Sequence, residues 1–515
     1  MLLHHAFEDA ARRLPGKTAI VSGTQRVTYG ELRVRMQALA RSLRDDGVER
    51  GDRVLVMLEP GVEYAVAAHA VLAAGAVFVP VGAQTRADKL AFLAADTRAA
   101  ALLTQGALAT VWRPALAASG SIRSCRVVEP APELENDRRV RAWPPDVAGA
   151  TAVESPCIDQ DLAALIYTSG TTGRPKGVML SHANMLSAWA SVQAYLGYRE
   201  DDVIGLALPP TFSYGLYNLL MGLGLGATVV IERAAAFPAR LAQTLATEGV
   251  TVFPGVPTLF SALLGLEILP RLDLRGLRIL TNAAAALPET HVARLRAAFP
   301  QARFFSMYGL TECKRASYLP PEQLDERPGS VGRGMPNQEH WLVDADGNRL
   351  PDGSTGELVV RGGHVMRGYW ERPEETAQRL RPGPVAGERV LHTGDLFRSD
   401  ADGWLTFISR QDDIIKTRGE KVAPREVESA IYRLESVTGC AVVGIPDEAL
   451  GEAVKAYVTL APGSELSARD IVRHCLATLE SHMSPKVVEI VAKLPRTESG
   501  KIRHASLRRR GAEPE

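Results

Sequence analysis

Apolar positions along this chain follow two alternating rhythms. Short unbroken apolar runs predict buried strands, and longer segments with apolar residues three or four apart predict amphipathic helices. Near the N-terminus the order is a helix from Ala6 to Leu14, a strand Thr18–Ser22, a helix opened by a Thr28–Glu31 capping box, and a strand Arg53–Leu58. Tyr64 to Ala83 carries no charge and is about as long as a membrane span. Gly75 and Pro80 interrupt it, so we expect a buried helix running into the strand Ala76–Pro80. Residues 130–160, rich in Pro, Glu and Asp, predict a surface connection.

The alternation then resumes. Strands are expected at Leu162–Ile166, Val203–Leu208, Ala227–Glu232, Thr251–Pro254, Leu277–Thr281 and Arg303–Ser306. Helices are expected at Asn184–Tyr195, Tyr217–Leu225 and near Leu241–Glu248. Beyond about residue 325, short strands between Asp-Gly and Gly turns (Glu339–Val343, Glu357–Arg361, Gly403–Phe407) predict a β-rich subdomain. Arg410–Lys416 reads as a boundary. After it, helix Pro424–Leu434, strands Val437–Val443 and Ala453–Leu460, helix Ala468–Glu480 and strand Val487–Val491 predict a small α+β domain with a core of its own. The expected fold class is therefore α/β: a large N-terminal domain of helix-covered sheets with a β-rich subdomain, residues 1–411, and a small domain, residues 412–515.

Composition narrows the function classes. Lys and Arg number 59 and Asp and Glu 59, so nothing in the charge balance points to a nucleic-acid partner. The five cysteines are scattered, without a Cys-x-x-Cys pair, which argues for reduced thiols in a cytosol and against structural zinc. The first residues carry acids inside an apolar segment and do not read as a signal peptide.

One stretch stands out chemically: Ile166-Tyr-Thr-Ser-Gly-Thr-Thr-Gly-Arg-Pro-Lys-Gly-Val178. Its glycines let the backbone turn N–H groups inward on an anion, its hydroxyls add donors, and Lys176 adds a mobile positive charge. That suits a triphosphate, although a solvated Gly/Thr turn has the same composition. No Gly-Lys-Ser/Thr closes the loop before a helix, so it is not a Walker A loop.

Four further stretches carry chemistry. In Met307-Tyr-Gly-Leu-Thr-Glu312 an exposed aromatic beside a glycine can stack on a planar base, and Thr311 with Glu312 can serve a phosphate and its Mg²⁺. In His392-Thr-Gly-Asp395, followed by Arg410, an acid and a cation can clamp a ribose diol. Lys416-Thr-Arg-Gly-Glu-Lys421 and Leu494-Pro-Arg-Thr-Glu-Ser-Gly-Lys-Ile502 each place lysine in a Gly-containing loop. Each has an ordinary alternative as a strand-end turn or a solvated surface loop.

Taken in order, the five stretches resemble the adenylate-forming superfamily: acyl-CoA and aryl-CoA synthetases, stand-alone nonribosomal adenylation enzymes and luciferase. The resemblance covers essentially the whole chain. It implies two half-reactions. A carboxylate first attacks the α-phosphate of ATP to give an acyl-adenylate and pyrophosphate. A pantetheine thiol, of CoA or of a carrier protein, then displaces AMP. It also implies roles. Thr168, Ser169, Gly170, Thr171, Thr172, Gly173 and Lys176 hold the β- and γ-phosphates. Tyr308 stacks on adenine beside Ala284 and Ala285. Thr311 contacts the α-phosphate, and Glu312 holds Mg²⁺. Asp395 binds the ribose with Arg410, where Ser409 departs mildly from the family's usual Gly-Arg-x-Asp. Lys501 stabilises the charge that develops in adenylation. The family rotates its small, mobile domain between the two steps; Asp412 matches the hinge, and Gly419 borders the thiol tunnel.

The identity of the acid is less legible. Phe212, Ser213, Tyr214 and Gly215 align with an acyl-pocket segment, faced by Asn282 and Ala283. Amino-acid-activating relatives typically carry Asp where this chain has Ser213. A neutral residue there would leave a buried substrate ammonium unpaired, which favours an acid without an α-amine. Ala283 to Ala286 either narrow the channel toward small or medium acyl groups or merely pack the strand end. The alternatives are a stand-alone amino-acid adenylation enzyme and a P-loop nucleotide switch. Missing Walker A closure counts against the latter. We expect a cytoplasmic enzyme without a membrane span.

Overall fold

Among the described residues the alternating runs assemble into four sheets. The computed structural model describes residues 1–129, 137–143, 153–169, 175–233, 237–283, 287–417, 420–447, 450–496 and 502–512. In the largest sheet the parallel strands Thr228–Ile231, Val203–Leu206, Val252–Gly255, Ile279–Asn282 and Arg303–Tyr308 lie side by side in that spatial order. Their residues are almost uninterruptedly apolar because helices cover the sheet. Chain order reverses at Val203–Leu206, and in such sheets ligands bind beyond the carboxyl ends of the strands near the reversal. Asn282 and Tyr308 are the last residues of their strands, on that edge.

The second large sheet orders Gly368–Tyr369, Pro175–Ser181, Leu162–Ser169, Val77–Pro80, Arg53–Val56, Ala101–Gln105, Ser124–Val128 and Val140–Trp143. The capping box holds: the Thr28 side chain accepts from the Glu31 N–H, and the Thr28 N–H donates to Glu31 at 2.8 Å. The uncharged segment is a buried helix, Val62–Ala73, feeding the strand Val77–Pro80. Among the described residues no helix is long and apolar enough to cross a membrane. All five cysteines are free thiols.

The expected strand at Leu162–Ile166 continues to Ser169. It pairs antiparallel with Pro175–Ser181, Thr168 opposite Lys176 and Ser169 opposite Pro175. The phosphate-loop stretch thus joins two strands of a hairpin, whereas a Walker A loop joins a strand to a helix. The strand Pro175–Ser181 and the helices Ala87–Thr97, Pro257–Leu264 and Glu289–Ala298 lie outside the sequence expectations.

A third sheet, Gln338–Val343, Thr355–Gly362, Leu380–Pro382, Arg389–Ser399 and Leu405–Arg410, forms the β-rich subdomain. A single turn, Gln411–Asp413, leads from it to the fourth sheet, which begins at Ile415. That sheet has an apolar core of its own from Ile415, Val427, Ile431, Val442, Val458 and Ile471. The basic C-terminal segment forms the helix His504–Ala512.

Candidate active site

Two clusters meet at the edge of the largest sheet. The first is built around Asp395, which is 3% exposed. The Tyr308 hydroxyl donates to its carboxylate at 2.6 Å, and Arg410 Nε donates to the other oxygen at 3.3 Å. Burial raises the Asp395 pKa above the usual carboxylate value, against the pull of Arg410. Burial also opposes the charge on Arg410, but Asp395, Asp413 and Glu312 together outweigh it and raise the guanidinium's pKa. The Tyr308 ring is half-buried, not exposed as expected, and meets Phe397 edge-on with centroids 4.8 Å apart.

Glu357 shapes the turn that presents Asp395. This carboxylate, 7% exposed, accepts from the Gly394 N–H at 2.8 Å and approaches His392 Nδ1 at 3.3 Å. Gly394 has φ of 70°, and a β-carbon there would collide with the Arg379 guanidinium, so the turn requires glycine. The Thr393 hydroxyl donates to the Leu358 carbonyl and accepts from the Asp395 N–H. Sequence reading missed Glu357; its placement in a strand opposite the Thr-Gly-Asp turn was the available signal.

The second cluster joins Glu312 to the phosphate-loop hairpin. Tyr369 donates its hydroxyl to Glu312 at 2.8 Å, and Lys176 Nζ sits 5.5 Å from the centre of the Tyr369 ring. Tyr369 is placed by strand pairing with Val178, and the Met366 N–H donates to the Glu312 carbonyl. Tyr369 was also missed, being one aromatic in an unremarked Gly-Tyr-Trp stretch. Next to this cluster Tyr167 donates to Asp96 at 2.5 Å, and Arg372 pairs with Asp96 at 2.7 Å.

A carboxylate beside a hydroxyl residue offers hard oxygen donors, so Thr311 and Glu312 fit a Mg²⁺ ion shared with phosphate oxygens.

Of the expected acyl-pocket residues, Tyr214 reaches the strand that ends at Asn282. Tyr214, on the first turn of the helix Ser213–Leu225, shares its hydroxyl with the Thr281 side chain at 2.6 Å and donates to the Thr281 carbonyl at 2.9 Å. Asn282 and Ala283 follow directly and are 1% and 2% exposed. Phe212 caps the helix, and Gly215 lies in its first turn. Sequence reading missed Lys314 and Arg315, on the loop between Arg303–Tyr308 and Ser317–Leu319. Lys314 donates to the Ser213 carbonyl at 3.1 Å.

Asp412 is exposed in the turn between the third and fourth sheets, and neighbouring Asp413 pairs with Arg508 of the last helix at 2.6 Å. Gly170, Thr171, Thr172, Gly173, Ala284, Ala285, Gly419 and Lys501 lie outside the described residues, as does the side chain of Ser169.

Comparison with known proteins agrees with this geometry. Residues 7–370 match the AMP-binding enzyme family and residues 426–501 match the AMP-binding enzyme C-terminal domain. The chain therefore belongs to the AMP-binding enzyme family, and is an AMP-forming acid–thiol ligase. It is 34% identical over 504 residues to a feruloyl-CoA synthase of Amycolatopsis sp, covering 97% of both chains. It is 31% identical over 532 residues to a long-chain-fatty-acid–CoA ligase of Salmonella typhi, covering 98% of this chain and 93% of that one. Among solved structures, the anthranilate CoA ligase AuaEII in complex with anthranoyl-AMP superposes with a TM-score of 0.88 at 26% identity, over 99% of this chain and 97% of that one. ATP-bound MatB from Rhodopseudomonas palustris gives 0.87 at 28% identity, over 99% of each.

Proposed function

We propose that this protein activates a carboxylic acid without an α-amine, using ATP and Mg²⁺, and passes the acyl group to the thiol of CoA. A carboxylate is a poor electrophile until its oxygen becomes a good leaving group, and adenylylation supplies one. The protein's work is charge neutralisation and positioning. In this reading Asp395 and Arg410 take the ribose hydroxyls, and Tyr308 and its aromatic neighbours flank the base with Ala284 and Ala285. The hairpin loop from Thr168 to Lys176 grips the departing pyrophosphate. Thr311 addresses the α-phosphate. Glu312 would hold Mg²⁺, which supplies charge neutralisation between the phosphates. Tyr369 fixes the Glu312 carboxylate and lies against Lys176. Lys501 serves the adenylation step and withdraws when the small domain turns about Asp412, bringing Gly419 to the thiol tunnel.

The carrying observation is the convergence of Tyr308, Asp395 and Arg410 with the Glu312–Tyr369–Lys176 chain at one sheet edge. Feruloyl-CoA synthase and the long-chain-fatty-acid–CoA ligase, similar over nearly their full lengths, support CoA as acceptor over a carrier protein. Ser213 is neutral, and the cation at its carbonyl is Lys314, which would repel a substrate ammonium. This favours a simple acid over an amino acid. Acid-dependent exchange of pyrophosphate into ATP, run over aliphatic, aromatic and amino acids, tests the reading. Exchange with at least one simple acid and AMP release on adding CoA are expected. ATP hydrolysis to ADP, or exchange with amino acids alone, would overturn it.

A further inference from the structure

We propose that the acid activated here carries a second carboxylate, held by Lys314 and Arg315. The inference rests on the acid-activating reading above and names the class of acid. Lys314 is 5% exposed and Arg315 is 3% exposed. The Lys314 ammonium touches one neutral acceptor, the Ser213 carbonyl, and lies 4.4 Å from the centre of the Tyr217 ring and 5.3 Å from that of Tyr214. The Arg315 guanidinium stands 5.1 Å from the same Tyr214 ring, and its Nε has no hydrogen-bond partner among the described residues. Among those residues neither cation forms an ion pair with a carboxylate.

Two like charges buried side by side without a counter-ion are costly, and the faces of two tyrosines offset only part of that cost. The backbone adds a second, independent sign. Lys314 has φ of 60°, and the Arg315 N–H donates across it to the Cys313 carbonyl at 2.6 Å. A three-residue turn with positive φ at its centre is rare and strained for a residue with a β-carbon. A surface lysine would relax out of it. Here the turn is clamped because the Lys314 carbonyl lies against Gly309, where any β-carbon would collide with it. The turn aims the lysine inward, at the first turns of the helix Ser213–Leu225.

What this subsite lacks is an anion. The substrate's reacting carboxylate belongs at Thr311 and Glu312, on the nucleotide side of the same loop. A second carboxylate on the far side would accept from Lys314 Nζ and Arg315 Nε, supplying the missing charge. A substrate ammonium is excluded by the same two cations.

Matched pairs of straight-chain monocarboxylic and dicarboxylic acids of equal length test this in pyrophosphate exchange. In one pair or more, kcat/KM for the dicarboxylate is expected to exceed that of its partner on the order of 30-fold or more, as for hydrogen bonds to charged groups. Lys314→Met should collapse that ratio to near unity, and Lys314→Arg should restore part of it. Equal kcat/KM within every pair would overturn the proposal, whether or not the variants fold. Ligand-induced thermal shifts with the same pairs read binding without turnover. A dicarboxylate that stabilises the wild type more than its partner does, and no longer does so in Lys314→Met, upholds the subsite even where exchange is absent. The ligase reading would then fail while the subsite stood. Equal shifts within every pair would overturn the subsite while leaving the ligase reading intact.

Discussion

The loop after Tyr308 serves two regions that treat charge in opposite ways. On the side proposed to hold the nucleotide, Asp395 is matched by Arg410 and Tyr308, and Glu312 by Tyr369 with Lys176 behind it. Two residues further on, Lys314 and Arg315 face aromatic rings and a carbonyl, with no carboxylate among the described residues. In the function proposed above, the first region presents the same partners to every ATP. The second, in the proposal above, is left for the substrate to complete. A common cosubstrate can be met by a finished site, whereas a variable one is read by what the site withholds.

The sharpest way to break this contrast lies in Lys501. Removing one preorganised donor to a transition-state charge typically costs about 10²–10³ in rate. Lys501→Ala should therefore slow pyrophosphate exchange by that order while thiolysis of a supplied acyl-adenylate continues. Equal loss in both steps would remove the assigned role. Asp395→Asn should raise KM for ATP by roughly 10- to 100-fold, from hydrogen bonds to a charged group worth about 1.5–3 kcal/mol. The ranking among acids should stay unchanged; a reordered ranking would show that the two regions are not separable.

Smaller effects follow from stability. A buried charge without a counter-ion is costly, so replacing it by an apolar side chain of similar length is stabilising. Lys314→Met should thus raise the denaturation midpoint of the unliganded protein, whereas Arg410→Met, which strips Asp395 of its partner, should lower it. Midpoints moving in the same direction would erase the contrast. Tyr369→Phe should cost about tenfold in exchange at limiting Mg²⁺, one hydrogen bond to a carboxylate being lost.

The smallest effect belongs to the packing around the N-terminal helix. Burial pushes His69 and His182 down to about 4. His69 lies beside Phe7, and His182 accepts from the Leu3 N–H at 3.2 Å. Both are neutral in the folded state near pH 7. The folded value lies below the unfolded one near 6.5, so the unfolded chain takes up the proton first as pH falls. Stability present above pH 6.5 is therefore lost progressively between there and about 4. From pH 7 to 6 the loss is about 0.7 kcal/mol for each histidine. Denaturant midpoints at the two pH values measure it, and His69→Gln should reduce the pH slope.

Several residues of the proposed nucleotide region could be named before the fold was known. Tyr308, Asp395 and Arg410 were named from short motifs, and the structure joins them by hydrogen bonds. Such motifs can be read because each is contiguous and its glycines and hydroxyls have few other uses. The partners that hold them were not legible. Tyr369 reaches Glu312 across 57 residues of chain. Glu357 reaches Gly394 across 37. Neither sits in a stretch of unusual composition. The half-burial of Tyr308 was likewise invisible, because Phe397 and Phe407 come from another sheet. Lys314 was overlooked for the opposite reason: a lysine after a cysteine in a loop reads as solvated, and only its neighbours reveal burial.

The sequence by itself determined the class of chemistry and the order of elements. Both are written locally, in the period of apolar residues and in Gly- and Thr-rich signatures that fold within a few residues of themselves. Only the tertiary structure decided which carboxylates are paired and which cations are left waiting. Ser213 and Lys314 are 101 residues apart and meet at a helix end and a strained loop. Whether a buried charge finds a counter-charge depends on what long-range packing brings within about 4 Å, where in a low-dielectric interior a single partner decides the balance.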